Sequence, residues 1–272
     1  MLTLPAFAGC GGSGDPLHTA RKAATTTLGL TAQTTMSFQG STLFGGRPGT
    51  IVGRAQFSFP RGLGYAAIDV PALGPRAAGR AYLVYLPTRL WAKPVVSTEL
   101  PQGDLWVSAR FTGPHSGGSA TPPIALVLES MNPQLLLEEI AAGAVAARSS
   151  GHRVVDHVPF AEYVVSVDLV QALKTYDKAG ALRTAMQQQL AALRANRGTS
   201  LVRIVVGVDG TGRIAQLDSS PVGAKLGRVH IALWRFGSPI PLSLPLTSET
   251  VDVPSLQRSH GAVTPAWMLL GS

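Results

Sequence analysis

One cysteine in 272 residues leaves no partner for an internal disulfide, so the fold must hold without that staple. Charge is sparse as well: Asp, Glu, Lys and Arg make up 14% of the chain, with 15 acidic against 23 basic residues, for a net +8. Aromatic residues are only 6%. No stretch after residue 10 supplies about 20 uninterrupted apolar residues, which excludes a later membrane-spanning helix. The excess of base invites a nucleic-acid reading, but the 23 lysines and arginines are scattered singly with no run of three, unlike the clustered footprint of such proteins. No nucleic-acid partner is expected. Attraction to an anionic membrane surface is the easier use of that charge. In place of charge the chain has 45% hydrophobic residues punctuated by 30 Gly and 20 Pro, the composition of a compact fold rich in turns.

The lone cysteine sits in Phe7-Ala8-Gly9-Cys10, after a short apolar run and before Gly11-Gly12-Ser13-Gly14. Residues 2 to 9 have the character of the end of a secretory apolar segment. The stretch resembles a bacterial lipobox, with Phe7 where that pattern has an aliphatic residue. The resemblance implies that Cys10 takes a thioether-linked diacylglycerol and that residues 1–9 are the remnant of a truncated signal peptide. Residues 10–14 then form a flexible tether, and residues 15–272 form one domain on the extracytoplasmic face of a bacterial cell membrane.

Alternation with period two recurs along the chain. In Thr31 to Phe38 it sets Ala32, Thr34, Met36 and Phe38 against Thr31, Gln33, Thr35 and Ser37, a half-buried strand. Arg54 to Phe59 repeats the pattern with Ala55, Phe57 and Phe59. Further strands are predicted at about 64–70, 80–86, 104–111, 161–169, 201–208, 213–218 and 228–236. Asp209-Gly210-Thr211-Gly212 provides a hairpin turn. Helices are predicted from Asp15-Pro16 to about Thr27, from Asn132-Pro133 to near Ser149, and from about Lys178 to Ala195 with Gly198 as the stop. The second carries Leu136, Ile140 and Ala144 on its apolar stripe, and the third Leu182, Met186, Leu190 and Leu193. Strands joined by short turns, with helices gathered on one face, make an α+β architecture.

Gly151-His152-Arg153-Val154-Val155, the strand Tyr163 to Leu169, and Leu201 to Asp209 followed by Gly212-Arg213-Ile214 resemble the second half of the LppX/LprG-type lipoproteins, a family related to the carrier LolA. The resemblance covers most of residues 15–245 as a pattern of elements and short phrases. It implies a strongly curved antiparallel sheet, an open half-barrel, with about three helices on its concave face and an apolar cavity for lipid or glycolipid acyl chains. The cavity lining it implies comprises Met36, Phe38, Phe57, Phe59, Val84, Val107, Leu136, Ile140, Ala144, Val165, Val167, Leu182 and Met186. From the residues alone, the same apolar faces serve a packed core equally well.

Chemistry-bearing patterns are few. In Gly151-His152-Arg153-Val154-Val155-Asp156-His157 a strand puts His152 and Asp156 on one face and His157 on the other, with no third ligand at a recognised spacing. Ser13 and Ser116 lack the strand-turn-helix setting of a nucleophile elbow. Asp209 to Gly212 lacks the further carboxylates of a calcium loop. Glu138 and Glu139 are expected in the first turns of their helix, where acidic side chains favour the dipole. The expectation is a membrane-anchored lipoprotein that binds and carries acyl chains, with no catalysis, metal or cofactor and with a membrane transporter as a candidate partner. The alternative is a structural or sensory lipoprotein that uses the same fold as a protein-interaction module.

Overall fold

The computed structural model describes residues 15–40, 49–70, 79–93, 106–110, 131–155, 158–178, 180–220, 227–241 and 243–252. They form a single open, strongly curved sheet of twelve strands with four α-helices. In chain order these are α1 (Pro16–Leu28), β1 (Thr31–Gly40), β2 (Gly49–Ser58), β3 (Leu63–Val70), β4 (Gly79–Leu86), β5 (Arg89–Lys93) and β6 (Trp106–Arg110). Then come α2 (Pro133–Gly143), β7 (Ala144–Val155), β8 (Val158–Asp168), α3 (Leu169–Thr175), α4 (Ala181–Arg197), β9 (Leu201–Val208), β10 (Ile214–Ser219), β11 (Arg228–Trp234) and β12 (Thr250–Asp252). The strand order is β12-β6-β5-β4-β3-β2-β1-β11-β10-β9-β8-β7, antiparallel throughout except for β12 beside β6.

The alternation read from the sequence becomes one continuous inner face. Because directly opposed residues of an antiparallel pair share a face, the register carries a row from Val165 through Ile204, Ser219, Val229 and Phe38 to Ile51. The next row runs Tyr163, Val206, Leu217, Ile231, Met36, Gly53, Ile68, Ala81. Nearly all of these side chains are buried and belong to one core with the inward residues of α1 and α2. α1 meets that core through the small side chains Ala20, Ala23 and Ala24. Its end is tied to the sheet by Thr27, whose hydroxyl donates to the Ala23 carbonyl at 2.8 Å and accepts from the Ile214 amide at 2.9 Å.

Helix starts follow their caps. The carboxylate of Asp15 accepts from the Leu17 amide ahead of Pro16, and Asn132 accepts from Gln134 ahead of Pro133. The second helix, expected to reach Ser149, stops at Gly143, and Ala144 opens β7. The reason is a close crossing: a Cβ at residue 143 would lie 2.6 Å from the Ala172 Cβ and 2.8 Å from the Asp168 carbonyl oxygen. α3 has no counterpart in the sequence-based reading, which ran the preceding strand through Leu169. Asp168 caps it, its carboxylate accepting from Val170 at 2.9 Å. The helix expected from about Lys178 starts at Ala181 after Gly180, whose φ of +122° and approach to the Pro87 carbonyl leave no room for a side chain. β5 and β12 also went unpredicted.

Candidate functional site

Most of the residues expected to line an acyl cavity meet on the inner face. Met36, Phe38, Phe57, Phe59, Val107, Leu136, Ile140, Val165 and Val167 are buried in the main core. Ala144 joins them, although it does so from the start of β7 and not from a helix stripe. Phe57 and Phe59 stack with centroids 5.7 Å apart, and Tyr85 tilts against Phe57 at 6.0 Å.

Three expected lining residues are placed elsewhere. Val84 is buried but stands opposite Tyr65 and Trp91 on the outer face, because the register turns Ala81 and Leu83 inward. Leu182 and Met186 pack with Leu135, Ala172, Tyr176 and Ala185 in a second cluster between α2, α3 and α4. α4 turns Leu193 and Leu190 to the main core instead. Ile51, Ile204, Val206, Leu217 and Ile231 were missing from the expected lining. Their signal was the same period-two alternation, extended one strand further on each side.

The inner layer is polar at a few places. Ser219 sits in the row between Ile204 and Val229, and its hydroxyl oxygen is buried without a hydrogen-bond partner. Gln189 of α4, 4% exposed, likewise holds its side-chain nitrogen without a partner. A buried polar atom left so costs about 1–3 kcal/mol relative to a paired one, which makes both atoms receptive to an oxygen-bearing ligand.

The acidic pair of α2 is not at the first turn, as expected, but in the middle of the helix. Glu139 is fully buried. Burial raises the Glu138 carboxyl above its ordinary value, and Lys178, 3.6 Å away, partly opposes this. Beside them burial, with Glu138 and Asp177 adding to it, pushes the Tyr176 phenol up to about 12. Arg183 donates to the carbonyls of Leu173 and Tyr176, closing the end of α3.

A cavity of about 410 Å³ lies on the other side of the sheet, lined by Thr35, Met36, Ser37, Val52, Gly53, Arg54, Ala67, Asp69, Arg80 and His230. The acyl-binding region expected from the sequence is the opposite, helix-covered face. At the β9–β10 turn, Asp209 accepts from the Thr211 amide and hydroxyl and from the amide and guanidinium of Arg213 at 2.7 to 3.0 Å. Arg213 stacks on Phe236 at 4.4 Å. That is the hairpin expected from the sequence. Among the described residues no three His, Cys, Asp or Glu side chains converge as a metal site. No helix of the described residues is long and apolar enough to cross a membrane. Cys10, Ser13, Ser116, Asp156 and His157 lie outside the described residues, and His152 is exposed on β7.

Solved lipoproteins share the path of this chain. LprF from Mycobacterium bovis is 14% identical, with 85% of this chain and 99% of that one covered and a TM-score of 0.48. The lipoprotein LppX from Mycobacterium tuberculosis is 12% identical, with 84% and 97% covered and a TM-score of 0.46. A LolA superfamily protein from Nitrosomonas europaea is 8% identical, with 86% and 96% covered and a TM-score of 0.32. At these identities the likeness is one of chain path, with no residue-by-residue correspondence. No protein-family model matches the chain, and no curated protein matches its sequence.

Proposed function

We propose that this chain is an extracytoplasmic lipoprotein that takes lipid acyl chains between the inner face of its sheet and the helices over it, and carries them without chemistry of its own. The observation that carries the reading is the division of the apolar interior into two clusters. The sheet contributes unbroken rows of apolar side chains across eight strands, while α2, α3 and α4 share a separate core around Leu135, Ala172 and Met186. A helical layer with its own core can separate from the sheet without dissolving. α1, which meets the sheet through alanines, gives up little apolar area when displaced.

The energy balance favours such an exchange. An acyl chain of about 16 carbons gains roughly 10 kcal/mol on leaving water at about 0.8 kcal/mol per CH₂, enough to replace helix–sheet contacts of that size. Ser219 and Gln189 offer hydrogen bonds to ester or headgroup oxygens, which an aliphatic core would not supply. The anchor is Cys10, the tether Gly11 to Gly14, and the acceptor another membrane or a transporter within it. Mass spectrometry of organic extracts from the natively purified protein tests this: stoichiometric lipid is expected, and a lipid-free extract with no uptake of added lipid speaks for the protein-interaction alternative.

A further inference from the structure

The outer-face cavity is a trough between two cross-strand rows. One row runs Asp218, His230, Ser37, Val52, Asp69, Arg80, and the other Ala232, Thr35, Arg54, Ala67, Tyr82. Short side chains at Thr35, Ser37 and Ala67 form its floor, and long ones at its ends wall it in.

The charges of these walls are already balanced, except for one. Asp69 is held by Arg80 through two hydrogen bonds, Nε to Oδ1 at 2.6 Å and Nη2 to Oδ2 at 3.2 Å. That contact draws the Asp69 carboxyl below its ordinary value, with Arg54 adding to the effect. At the other end His230 Nδ1 meets Asp218 Oδ1 at 3.0 Å. Arg54 has no hydrogen bond or ion pair among the described residues. It stands directly across from Thr35 and diagonally from Ser37.

We propose that this trough binds a phosphate-type oxyanion, with Arg54 as the group that meets it and Thr35 and Ser37 as hydroxyl donors beside it. A guanidinium presents a planar fork of donors that fits two oxygens of such a group, and hydroxyls complete the shell. The acid that would repel the anion is neutralised inside the trough by Arg80. The volume exceeds that of the anion alone, so the trough accommodates an attached glycerol or sugar as well. The site lies on the face away from the helices and does not depend on the acyl-binding reading.

The same chemistry comes from free phosphate or from a phospholipid headgroup, and two probes separate them. The full chain is titrated with inorganic phosphate by calorimetry and floated with phosphatidylglycerol vesicles, phosphatidylcholine vesicles being the control. Arg54→Gln is expected to weaken phosphate binding roughly tenfold to a hundredfold, the scale of hydrogen bonds to a charged group. Arg54→Lys is expected to restore part of it. Arg197→Gln, which removes the same charge from an exposed position on α4, should leave it intact. Vesicle binding that falls with Arg54→Gln alone assigns the headgroup; phosphate binding that falls while vesicle binding stays assigns the free anion. Arg54 is exposed, so an unchanged unfolding midpoint separates lost binding from lost folding. Saturable binding to neither probe, or equal binding by Arg54→Gln and the parent, overturns the proposal.

Discussion

The ring of Phe57 on β2 lies over Gly64, its cross-strand partner on β3, so closely that a Cβ at residue 64 would stand 2.4 Å from the ring carbon Cε1. The glycine is the space the ring occupies, and the ring in turn stacks on Phe59 and meets Tyr85. Gly64→Ala should therefore displace a fully buried aromatic stack. The expected loss is about 1–3 kcal/mol, the usual cost of overpacking, measured by urea unfolding. An unchanged midpoint would mean that the ring has room to move.

Thr27 joins the end of α1 to the start of β10. Thr27→Val removes the acceptor of the Ile214 amide and leaves a buried N–H without its partner. The expected destabilisation is about 1–3 kcal/mol, with Thr27→Ser recovering most of it. Hydrogen exchange should show the Ile214 amide losing protection in the valine variant and keeping it in the serine variant.

Burial opposes ionisation of Asp209, but hydrogen bonds from Thr211 and Arg213 outweigh it and hold the carboxyl below its ordinary value of 3.8. Since the folded state lowers this group's affinity for protons, its contribution to stability is complete above pH 3.8 and declines as pH falls through the folded value. Asp209→Asn should lower the unfolding midpoint at neutral pH. The gap between variant and parent should narrow in acid below that ordinary value, and a gap constant with pH would assign the loss to geometry alone.

Cys10→Ser tests the anchor. Expressed with a complete export signal, the parent should partition into detergent and the variant should be released with the same unfolding midpoint, because Gly11 to Gly14 separates the anchor from the domain. Equal membrane association of the two would remove the lipobox from the account.

The sequence was informative wherever one element's pattern stood on its own. Met36 and Phe38 showed their inward face by strict alternation, and Asp15-Pro16 and Asn132-Pro133 marked two helix starts through capping chemistry that acts over two residues. It was less informative where distant residues decide. The repeat Leu136, Ile140, Ala144 argued for a helix beyond Gly143, and the alanines that follow favour one, yet contact with Ala172 ends it. Val84 looked like an inward residue because β4 is buried on both faces at Leu83 and Val84, so hydrophobicity alone could not choose a face. Met186 carried the right helical spacing, but its stripe is claimed by neighbouring helices and not by the sheet. The outer trough had no local signal at all, since Arg54, Asp69, Arg80 and His230 meet only through strand register.

Whether the inner face receives acyl chains is tested most directly at Val165, fully buried and paired with Ile204 in the middle of that face. Uptake of a fluorescent fatty-acyl probe is measured for the parent and for Val165→Trp, alongside their unfolding midpoints. A face that opens to ligand predicts saturable uptake by the parent and its loss in the variant, with stability nearly unchanged. A parent that never takes up the probe, with a variant destabilised by about 1–3 kcal/mol as overpacking of a filled core requires, would contradict the account.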